Sequence, residues 1–250
     1  MVDPAVANIH RFGTQPFCVF VDHASNVVPN GFNDLGLERE DLQKHIAWDI
    51  GAEALGIELG RRLQAPTITC AFSRLFVDVN RHVDSTDLIP SISDGIEVPA
   101  NIAMDSAEKQ KRLEQFYFPY HQCLAEEIEQ TKSLCSDAFV VSVHSFTNQL
   151  ETAEVARPWH AGLLWNDDEN SARAALKWFA QNTEWQVGDN EPYDARAFNH
   201  SVDTHVGPRG LRHLTFEVRQ DILSSAQGIL DSANILEALI RHVASGGGVN

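Results

Sequence analysis

The stretch that decides the fold is FCVFVDHASN, residues 17–26, in which an unbroken apolar run passes directly into a cluster of polar side chains. A short apolar run without alternation is typical of a strand that is buried on both faces of a parallel sheet. In open α/β sheets, ligands bind beyond the carboxyl ends of the strands. The position of Asp22 and His23, directly after the run, therefore indicates a functional site at that edge of the sheet.

The rest of the chain alternates between strand-like and helical patterns. Short apolar runs predict strands at 17–21, 67–71, 138–143, 161–165, 185–187 and 214–218. Helical spacing predicts helices at 41–64, 106–134, 168–182 and 222–243, of which the second is strained at Pro119. An apolar stretch at 75–79 leads into a polar passage, 80–105, that has no clear periodicity. This order predicts an α/β fold with a mostly parallel sheet covered on both faces, in a single domain, residues 1–250, with a disordered tail at 245–250.

Composition narrows the classes of function. Of the 250 residues, 43% are hydrophobic, and 35 acidic against 19 basic residues give a formal net charge of −16. That charge argues against a surface for nucleic acid or for an anionic membrane. A small anionic substrate would therefore need locally placed arginines.

Cysteines and targeting signals indicate the compartment. The four cysteines lack CxxC spacing and are predicted to be buried free thiols: Cys18, Cys70, Cys123 and Cys135. The N-terminus lacks a basic region followed by an apolar one, and no stretch approaches the ~18 apolar residues that cross a bilayer. We expect a cytoplasmic protein without membrane or nucleic-acid partners.

Two predicted strands lead into histidines, His23 in FVDHASN and His144 in VVSVHSF. A single histidine there usually caps the strand by hydrogen bonding to backbone, but two at equivalent positions favour a metal site. Imidazole is the commonest zinc ligand in proteins, and a catalytic zinc has three protein ligands and one open position. We therefore expect both histidines to bind Zn²⁺, or another divalent transition metal, together with a third ligand.

The third ligand is less clear from the sequence. Peptidase-type zinc sites carry an acid three residues after the first histidine, where this chain has the neutral Asn26. In HIAWDIGAEAL, helical spacing puts His45 and Asp49 on one face. A solvated polar stripe accounts for His45, whereas for Asp49 that account and a role as ligand both stay open. The polar neighbours of His23 are expected to fix its loop or to hydrogen-bond to the ligands: Asp22, Ser25 and Asn26.

The stretch SRLFVDVNR offers a site for a carboxylate. Asn80 and Arg81 follow the apolar stretch 75–79, which reads as a strand, and Arg74 precedes it. Arginine binds a carboxylate through two parallel hydrogen bonds, and a neighbouring asparagine amide can donate a third. A surface arginine paired with Asp78 or Asp84 is the alternative.

In RGLRHLTFEVRQD, alternation sends Thr215, Glu217 and Arg219 to one face and three apolar residues to the other. In a strand buried on both faces, a glutamate is costly unless it is paired or functional. In zinc hydrolases the attacking water needs a carboxylate to take its proton, a role that suits Glu217. A solvated glutamate on an edge strand is the competing interpretation.

Taken in order across nearly the whole chain, eight motifs resemble the N-formylglutamate amidohydrolase (N-formylglutamate deformylase) family: DHASN, HIAWDIGA, SRLFVDVNR, FPYHQCL, VSVHSF, RPWHAGLLWN, GDNEPY and FEVRQD. The best-described deformylases read PHSG where this chain has DHASN, so the resemblance is to a divergent branch. The family is similar in fold to zinc carboxypeptidases and aspartoacylases. The resemblance therefore implies a three-layer α/β/α, phosphorylase/hydrolase-like fold and zinc-dependent amide hydrolysis.

By position, the resemblance implies His23, Asp49 and His144 as metal ligands and Glu217 as general base. For the substrate it implies Asn80 and Arg81 as the pair that holds a carboxylate, with Asn190 and Tyr193 lining the pocket. We expect Arg74 or Arg219 to help in holding that carboxylate. His121 and His160 are expected to be structural, since one lies within a helix and the other opens a strand.

The sequence thus predicts a zinc-dependent amidohydrolase that removes a small acyl group, formyl by analogy, from an acidic amino acid such as N-formylglutamate. Two alternatives stay open. One is a metallo-carboxypeptidase or deacylase acting on a longer peptide or cell-wall amide, which a lid formed by residues 80–105 would exclude. The other is a protein that binds an amino acid without turnover.

Overall fold

The computed structural model describes residues 6–102 and 104–247. In these residues the strands are β1 (Ala7–Arg11), β2 (Phe17–Val21), β3 (Pro66–Cys70), β4 (Ile92–Ser93), β5 (Ile96–Glu97), β6 (Phe139–Phe146), β7 (Ala161–Leu164), β8 (Val187–Asp189) and β9 (Arg212–Arg219). The α-helices are α1 (Arg39–Leu42), α2 (Ala52–Leu63), α3 (Pro99–Ile102), α4 (Ser106–Arg112), α5 (Phe118–Leu134), α6 (Glu169–Asn182), α7 (His200–His205) and α8 (Ala226–Ala244).

Seven of these strands form one mixed sheet in the order β1-β3-β2-β6-β9-β7-β8. The central run β3-β2-β6-β9 is parallel throughout, and β8 is parallel to β7. The β1 and β7 strands are antiparallel to their neighbours β3 and β9. The predicted mostly parallel sheet is confirmed, and β9 lies inside it, so the interpretation of Glu217 as an edge-strand residue is wrong.

Helices cover both faces of the sheet. On one face, Val19 and Val21 of β2 pack in a core with residues of α2, α6 and α8. On the other, Phe20 packs with Tyr120 and Leu124 of α5. Because alternate residues of a strand point to opposite faces, five consecutive apolar residues in β2 serve two cores at once. The three-layer α/β/α architecture is confirmed.

The helix predicted at 41–64 is interrupted. It ends at Leu42 in α1, and α2 begins only at Ala52. Between them the backbone bonds to other segments: the Asp49 N–H donates to the His23 carbonyl at 2.9 Å, and the Ala47 carbonyl accepts from the Arg74 N–H at 3.2 Å. Gly51, with φ of +83°, makes the turn into α2, a conformation that favours glycine. The helical pairing of His45 with Asp49 is therefore wrong.

Several other segments also differ from the predicted secondary structure. Before Pro119 the helix widens into a π-helical turn, Leu113–Tyr117, where proline leaves a backbone carbonyl without its usual donor. The apolar stretch 75–79 is a buried loop rather than a strand. The polar passage 80–105 contains the hairpin β4-β5, and the sequence pattern missed this hairpin and the edge strand β1.

The remaining predictions concern cysteines, membrane and tail. Cys18, Cys70 and Cys123 are buried free thiols, whereas Cys135, at the end of α5, is half-buried. Within the ranges 6–102 and 104–247, no helix is both long and apolar enough to span a bilayer. Residues 245–247 of the predicted tail form a turn after α8, and 248–250 lie outside the described residues.

Candidate active site

The sheet brings three of the predicted site residues to one edge. Parallel strands β2, β6 and β9 end at the same edge, and His23 lies two residues beyond the end of β2. His144 lies within β6, rather than in the loop after it, and stands opposite Glu217 of β9 in the register. Neighbours in register point to the same face of a sheet, so the imidazole and the carboxylate share one side.

A buried cluster forms where the loop before α2 meets this edge. His23, Asp49 and His144 each offer one ligand atom, and these atoms lie within 4.8 Å of one another. Asp49 Oδ2 is 2.8 Å from His144 Nδ1 and 3.4 Å from His23 Nδ1. The Ser145 N–H donates to the same oxygen at 3.3 Å. Two imidazole nitrogens and one carboxylate oxygen are the donor set of catalytic zinc sites, so this cluster could bind a metal ion.

Carboxylates stand behind both imidazoles. The Nε2–H of His23 donates to Asp78 Oδ1 at 2.7 Å. Among the described residues, Nε2 of His144 has no hydrogen-bond partner, and neither has Asp22 Oδ2, which lies 3.8 Å from it. Tyr120 donates to the other oxygen of Asp22, Oδ1, at 2.6 Å. Metal-binding histidines commonly donate their other ring N–H to a carboxylate. Both rings are thus arranged to offer Nδ1 to a cation, which fits a metal.

The charges of the cluster reinforce one another. Burial would raise the pKa of Asp49, but His23 and His144 outweigh it and hold that pKa far below its usual range. Burial and Arg74 lower the pKa of His23, but Asp78 and Asp49 reverse the shift and raise it. For His144, burial is likewise outweighed by Asp49 and the pKa is raised. The carboxylates thus favour the positively charged form of both imidazoles, so the cluster as a whole attracts positive charge.

Glu217 differs from Asp49, because its pKa is raised rather than lowered. Burial raises its pKa to about 8, the Asp49 charge adds to the shift, and His144 opposes it. In the part of the chain that the structure describes, its Oε2 atom has no hydrogen-bond partner. A buried carboxyl with a free oxygen and a pKa near neutrality can accept and release a proton, which is the property of a general base or acid.

The arginines predicted for the substrate divide into two groups. Arg74 donates to Asp78 Oδ2 at 2.9 Å and to Asp49 Oδ1 at 3.4 Å, beside the cluster. Arg81 pairs with Asp87 at 2.7 Å, so its ion pair is with an aspartate, although not one of those that the sequence suggested. Both arginines line a cavity of about 380 Å³ that also contains the cluster, Asn80 and Glu217.

Other predicted residues lie elsewhere. The Arg219 guanidinium forms two hydrogen bonds with Asp221 and one with the Trp159 carbonyl, and Arg219 does not line the cavity. Ser25 and Asn26 bond to the backbone of Val27 and Leu42, so they fix the loop and do not contact the cluster. Asn26 is thus no rival to Asp49 as a ligand.

The structure also places the two residues that the resemblance put in the pocket and the three histidines that were not predicted to be ligands. Tyr193 lines the cavity, whereas Asn190 bonds to the backbone of Trp165. His45 is half-buried, lines the cavity and lies 3.1 Å from Asp94, so its interpretation as a solvated residue is wrong. His121 pairs with His205, and His160 accepts from the Gln186 N–H, so both serve the fold.

Two residues that line the cavity, Asp78 and Arg157, were not predicted from the sequence as part of the site. Asp78 was considered only as an ion-pair partner for an arginine, although its position two residues before the Asn80–Arg81 pair could have drawn attention to it. Arg157 lies in the RPWH motif in a loop without periodicity, and no pattern distinguished it from other surface arginines.

Known proteins resemble this chain in sequence family and in structure. Residues 15–224 match the family described as N-formylglutamate amidohydrolase. The crystal structure of gene product Atu2144 from Agrobacterium tumefaciens is similar, with 28% identity and a TM-score of 0.91 over 96% of this chain and 95% of that one. No curated protein matches the chain.

N-formylglutamate amidohydrolase from Ralstonia eutropha JMP134 is 18% identical, with a TM-score of 0.73 over 96% of this chain and 97% of that one. At this identity the likeness concerns the fold alone.

Proposed function

The chain belongs to the N-formylglutamate amidohydrolase family, a family of hydrolases, and from this premise we propose that it is a zinc-dependent enzyme that removes a formyl-type group from an acidic amino acid such as N-formylglutamate. One observation carries the proposal: the cluster of His23, Asp49 and His144 faces Glu217 in a cavity that also contains arginines. That combination supplies a cation site, a proton acceptor and a carboxylate-binding group within one space.

The metal would be held by Nδ1 of His23, Nδ1 of His144 and a carboxylate oxygen of Asp49. When bound, zinc supplies a Lewis acid that polarises an acyl oxygen and makes water more acidic. Asp78 holds the His23 ring by its hydrogen bond, and Asp22 stands in the matching position behind His144. A carboxylate bonded in this way fixes the ring and raises the basicity of the ligand, as Asp78 does for His23. Asp22 supplies negative charge to the His144 ring across a longer gap of 3.8 Å.

Glu217 moves the proton. It accepts one from the attacking water, so that the water oxygen can bond to the acyl carbon, and it then gives the proton to the amine nitrogen as the C–N bond breaks. The products are the free acid, formate for a formyl substrate, and the amino acid. General acid–base catalysis of this kind contributes about 10²- to 10⁴-fold to the rate.

Arg81 and Asn80 hold a carboxylate of the substrate. Arg81 pairs with Asp87, whose side chain is 46% exposed, so a substrate carboxylate can compete for the guanidinium. Arg74, beside Asp49, offers positive charge next to the reacting centre. Orientation by groups of this kind lowers the barrier because the scissile bond is held near its attacking water.

The cavity wall favours a small substrate over a long peptide. Ile92, Ser93 and Asp94, from the hairpin β4-β5, line the cavity. Asp94 accepts from the backbone N–H groups of Glu151 and Thr152 and from the Thr152 hydroxyl, which ties the hairpin to a second loop over the site. This arrangement limits the length of chain that can enter.

The test combines metal analysis with a hydrolysis screen. The purified protein is assayed for bound metal and then tested against N-formyl, N-acetyl and N-succinyl amino acids, before and after chelation and after Zn²⁺ is restored. We expect about one metal ion per chain and metal-dependent release of formate from N-formylglutamate. A metal-free protein in which added Zn²⁺ restores no hydrolysis would refute the proposed function.

A further inference from the structure

Three arginines line the cavity, and they differ in their partners. Arg74 pairs with Asp49 and Asp78, and Arg81 pairs with Asp87. Across residues 6–102 and 104–247, no carboxylate lies within ion-pair distance of Arg157. In a chain with a formal net charge of −16, a half-buried guanidinium without a counter-ion is unusual. Its position in the cavity suggests that the anion it lacks comes from a ligand.

Arg157 is held in place by one edge only. Its Nη1 donates to the Thr147 carbonyl at 3.3 Å and to the Tyr193 hydroxyl at 3.1 Å. Its Cζ lies 4.9 Å from the centre of the Tyr193 ring and 5.8 Å from that of Phe146. Within the described part of the chain, Nε and Nη2 have no acceptor. These two nitrogens form the fork that binds a carboxylate through two parallel hydrogen bonds.

An aromatic wall links Arg157 to Arg81. The Arg81 Cζ lies 4.8 Å from the Phe198 ring, and the Phe198 and Tyr193 rings are 6.2 Å apart. The Arg157 guanidinium stacks over the other ring of this pair, Tyr193. The cavity therefore has two guanidinium groups, each over one ring of an aromatic pair, an arrangement that fits a ligand with two carboxylates joined by a short apolar spacer.

Arg157 also acts on the catalytic corner. The pKa of Glu217, which burial raises, is lowered in part by the charge of Arg157. The pKa of the Tyr193 phenol is raised by burial and by Glu217, while Arg157 opposes this rise. Arg157, Tyr193 and Glu217 line the same cavity, so a ligand held by Arg157 would lie in the space that Glu217 faces.

We propose that Arg157, positioned by Tyr193, is a second carboxylate site that selects dicarboxylic substrates by binding the side-chain carboxylate. The proposal rests on the proposed function for the first carboxylate, which Arg81 holds, and for the reaction itself. If Arg157 binds the side-chain carboxylate, a substrate with an amide in its place should be poor. The amide would leave the half-buried guanidinium without a charge partner.

The first experiment compares N-formylglutamate with N-formylglutamine, which differ only in the side-chain carboxylate. We expect the wild type to prefer N-formylglutamate in kcat/KM by about 10- to 100-fold. Arg157→Gln should reduce this ratio to near one through loss on N-formylglutamate alone. Arg157→Lys, which keeps the charge without the fork, should give an intermediate ratio and guards against misfolding of the first variant.

The control is Arg196→Gln. Arg196 lies on the same loop as Tyr193, pairs with Asp194, is 70% exposed at its side chain and does not line the cavity. This control removes the same charge and should leave both rates unchanged. Equal losses on both substrates in Arg157→Gln, or a wild type that hydrolyses both equally well, would overturn the assignment of Arg157.

A second measurement does not depend on turnover. Titration calorimetry compares the binding of glutarate and of its monoamide, glutaramate, to the purified protein. A preference for glutarate that Arg157→Gln abolishes would support the second site even if no N-formyl amino acid is hydrolysed, in which case the proposed function fails alone. Equal affinities in the wild type, or an equal loss for both ligands in Arg157→Gln, would refute the site whatever the enzyme does.

Discussion

Two pairs of buried histidines lie in this protein, and they have opposite electrostatic states. In the cluster, Asp49 Oδ2 lies between His23 and His144, and the pKa of each histidine is raised. In the other pair, Nδ1 of His121 on α5 lies 2.8 Å from Nε2 of His205 on α7. Burial lowers the pKa of His121 to about 3 and that of His205 to about 4.

The difference lies in the carboxylates. Four acidic side chains surround the first pair: Asp22, Asp49, Asp78 and Glu217. The second pair has histidine and arginine neighbours, and those charges lower its pKa values further. Burial alone keeps an imidazole neutral, whereas burial beside carboxylates makes it part of a site that demands positive charge. The acidic partners, rather than the histidines, therefore distinguish the cluster that could bind a metal ion from the other pair.

The largest expected effect comes from exchanging one histidine in each pair. His144→Gln removes a ligand and should abolish stoichiometric zinc binding and reduce kcat/KM by at least about 10³-fold. His205→Gln, the matched variant in the other pair, should keep its metal. Metal content by mass spectrometry and steady-state kinetics measure both. Loss of metal in His205→Gln, or its retention in His144→Gln, would break the comparison.

Glu217→Gln tests the acidic side chain that has no place in metal binding. Because the amide cannot accept the proton, kcat should fall by about 10²- to 10⁴-fold, while metal content stays at the wild-type level. Turnover assays on protein of verified metal content provide the measurement. An unchanged kcat would mean that another group takes the proton.

The carboxylates behind the rings should have an intermediate effect. Asp78→Asn and Asp22→Asn should each weaken zinc affinity by about 10- to 100-fold, because the rings lose their orienting acceptors. Competition with a chelating dye measures this affinity. Asp84→Asn, at a side chain that is 89% exposed, is the control and should have no effect. If both buried variants match that control, the rings need no such support.

The smallest effect concerns stability and pH in the metal-free protein. The unfolded chain binds protons at His121 and His205 below a pKa of about 6.5, whereas in the folded chain the pKa falls to about 3 for His121 and about 4 for His205. Their contribution is therefore complete at pH 7 and is lost as pH falls, by about 1 kcal/mol for each histidine at pH 5.5. The raised pKa values of His23 and His144 have the opposite effect on stability. As pH falls, the folded chain binds more protons at these two residues than the unfolded chain does, which stabilises the fold.

Denaturant unfolding at pH 7 and pH 5.5 measures this difference. In His121→Gln, the fall in the free energy of unfolding between the two pH values should be smaller than in the wild type by about 1 kcal/mol. An identical fall in the two proteins would mean that His121 does not remain neutral in the folded state.

Regular patterns predicted the frame of the site well. Five apolar residues in β2 placed His23 at a strand end, and alternation in β9 placed Glu217 on the face that His144 shares. Irregular segments carry no such period. Asp49 was singled out from a helix that ends before it, and its backbone bond to His23 could not be read from spacing.

Local competition explains the errors over arginines. Alternation gave Arg219 the same face as Glu217, but Asp221, two residues on, captures its guanidinium at 2.7 Å. Arg157 comes to the cavity through contacts with Thr147 and Tyr193, 10 and 36 residues away in sequence. Only tertiary structure reveals which arginine has a partner of its own and which has none.

The central claim is that His23, Asp49 and His144 hold a metal, and anomalous diffraction at the zinc edge tests it most directly. In crystals of the protein purified with Zn²⁺, we predict one strong peak, about 2.0 to 2.2 Å from the Nδ1 atoms of both histidines and from an Asp49 oxygen. The absence of a peak at that position, or a peak held instead by His121 and His205, would contradict the account.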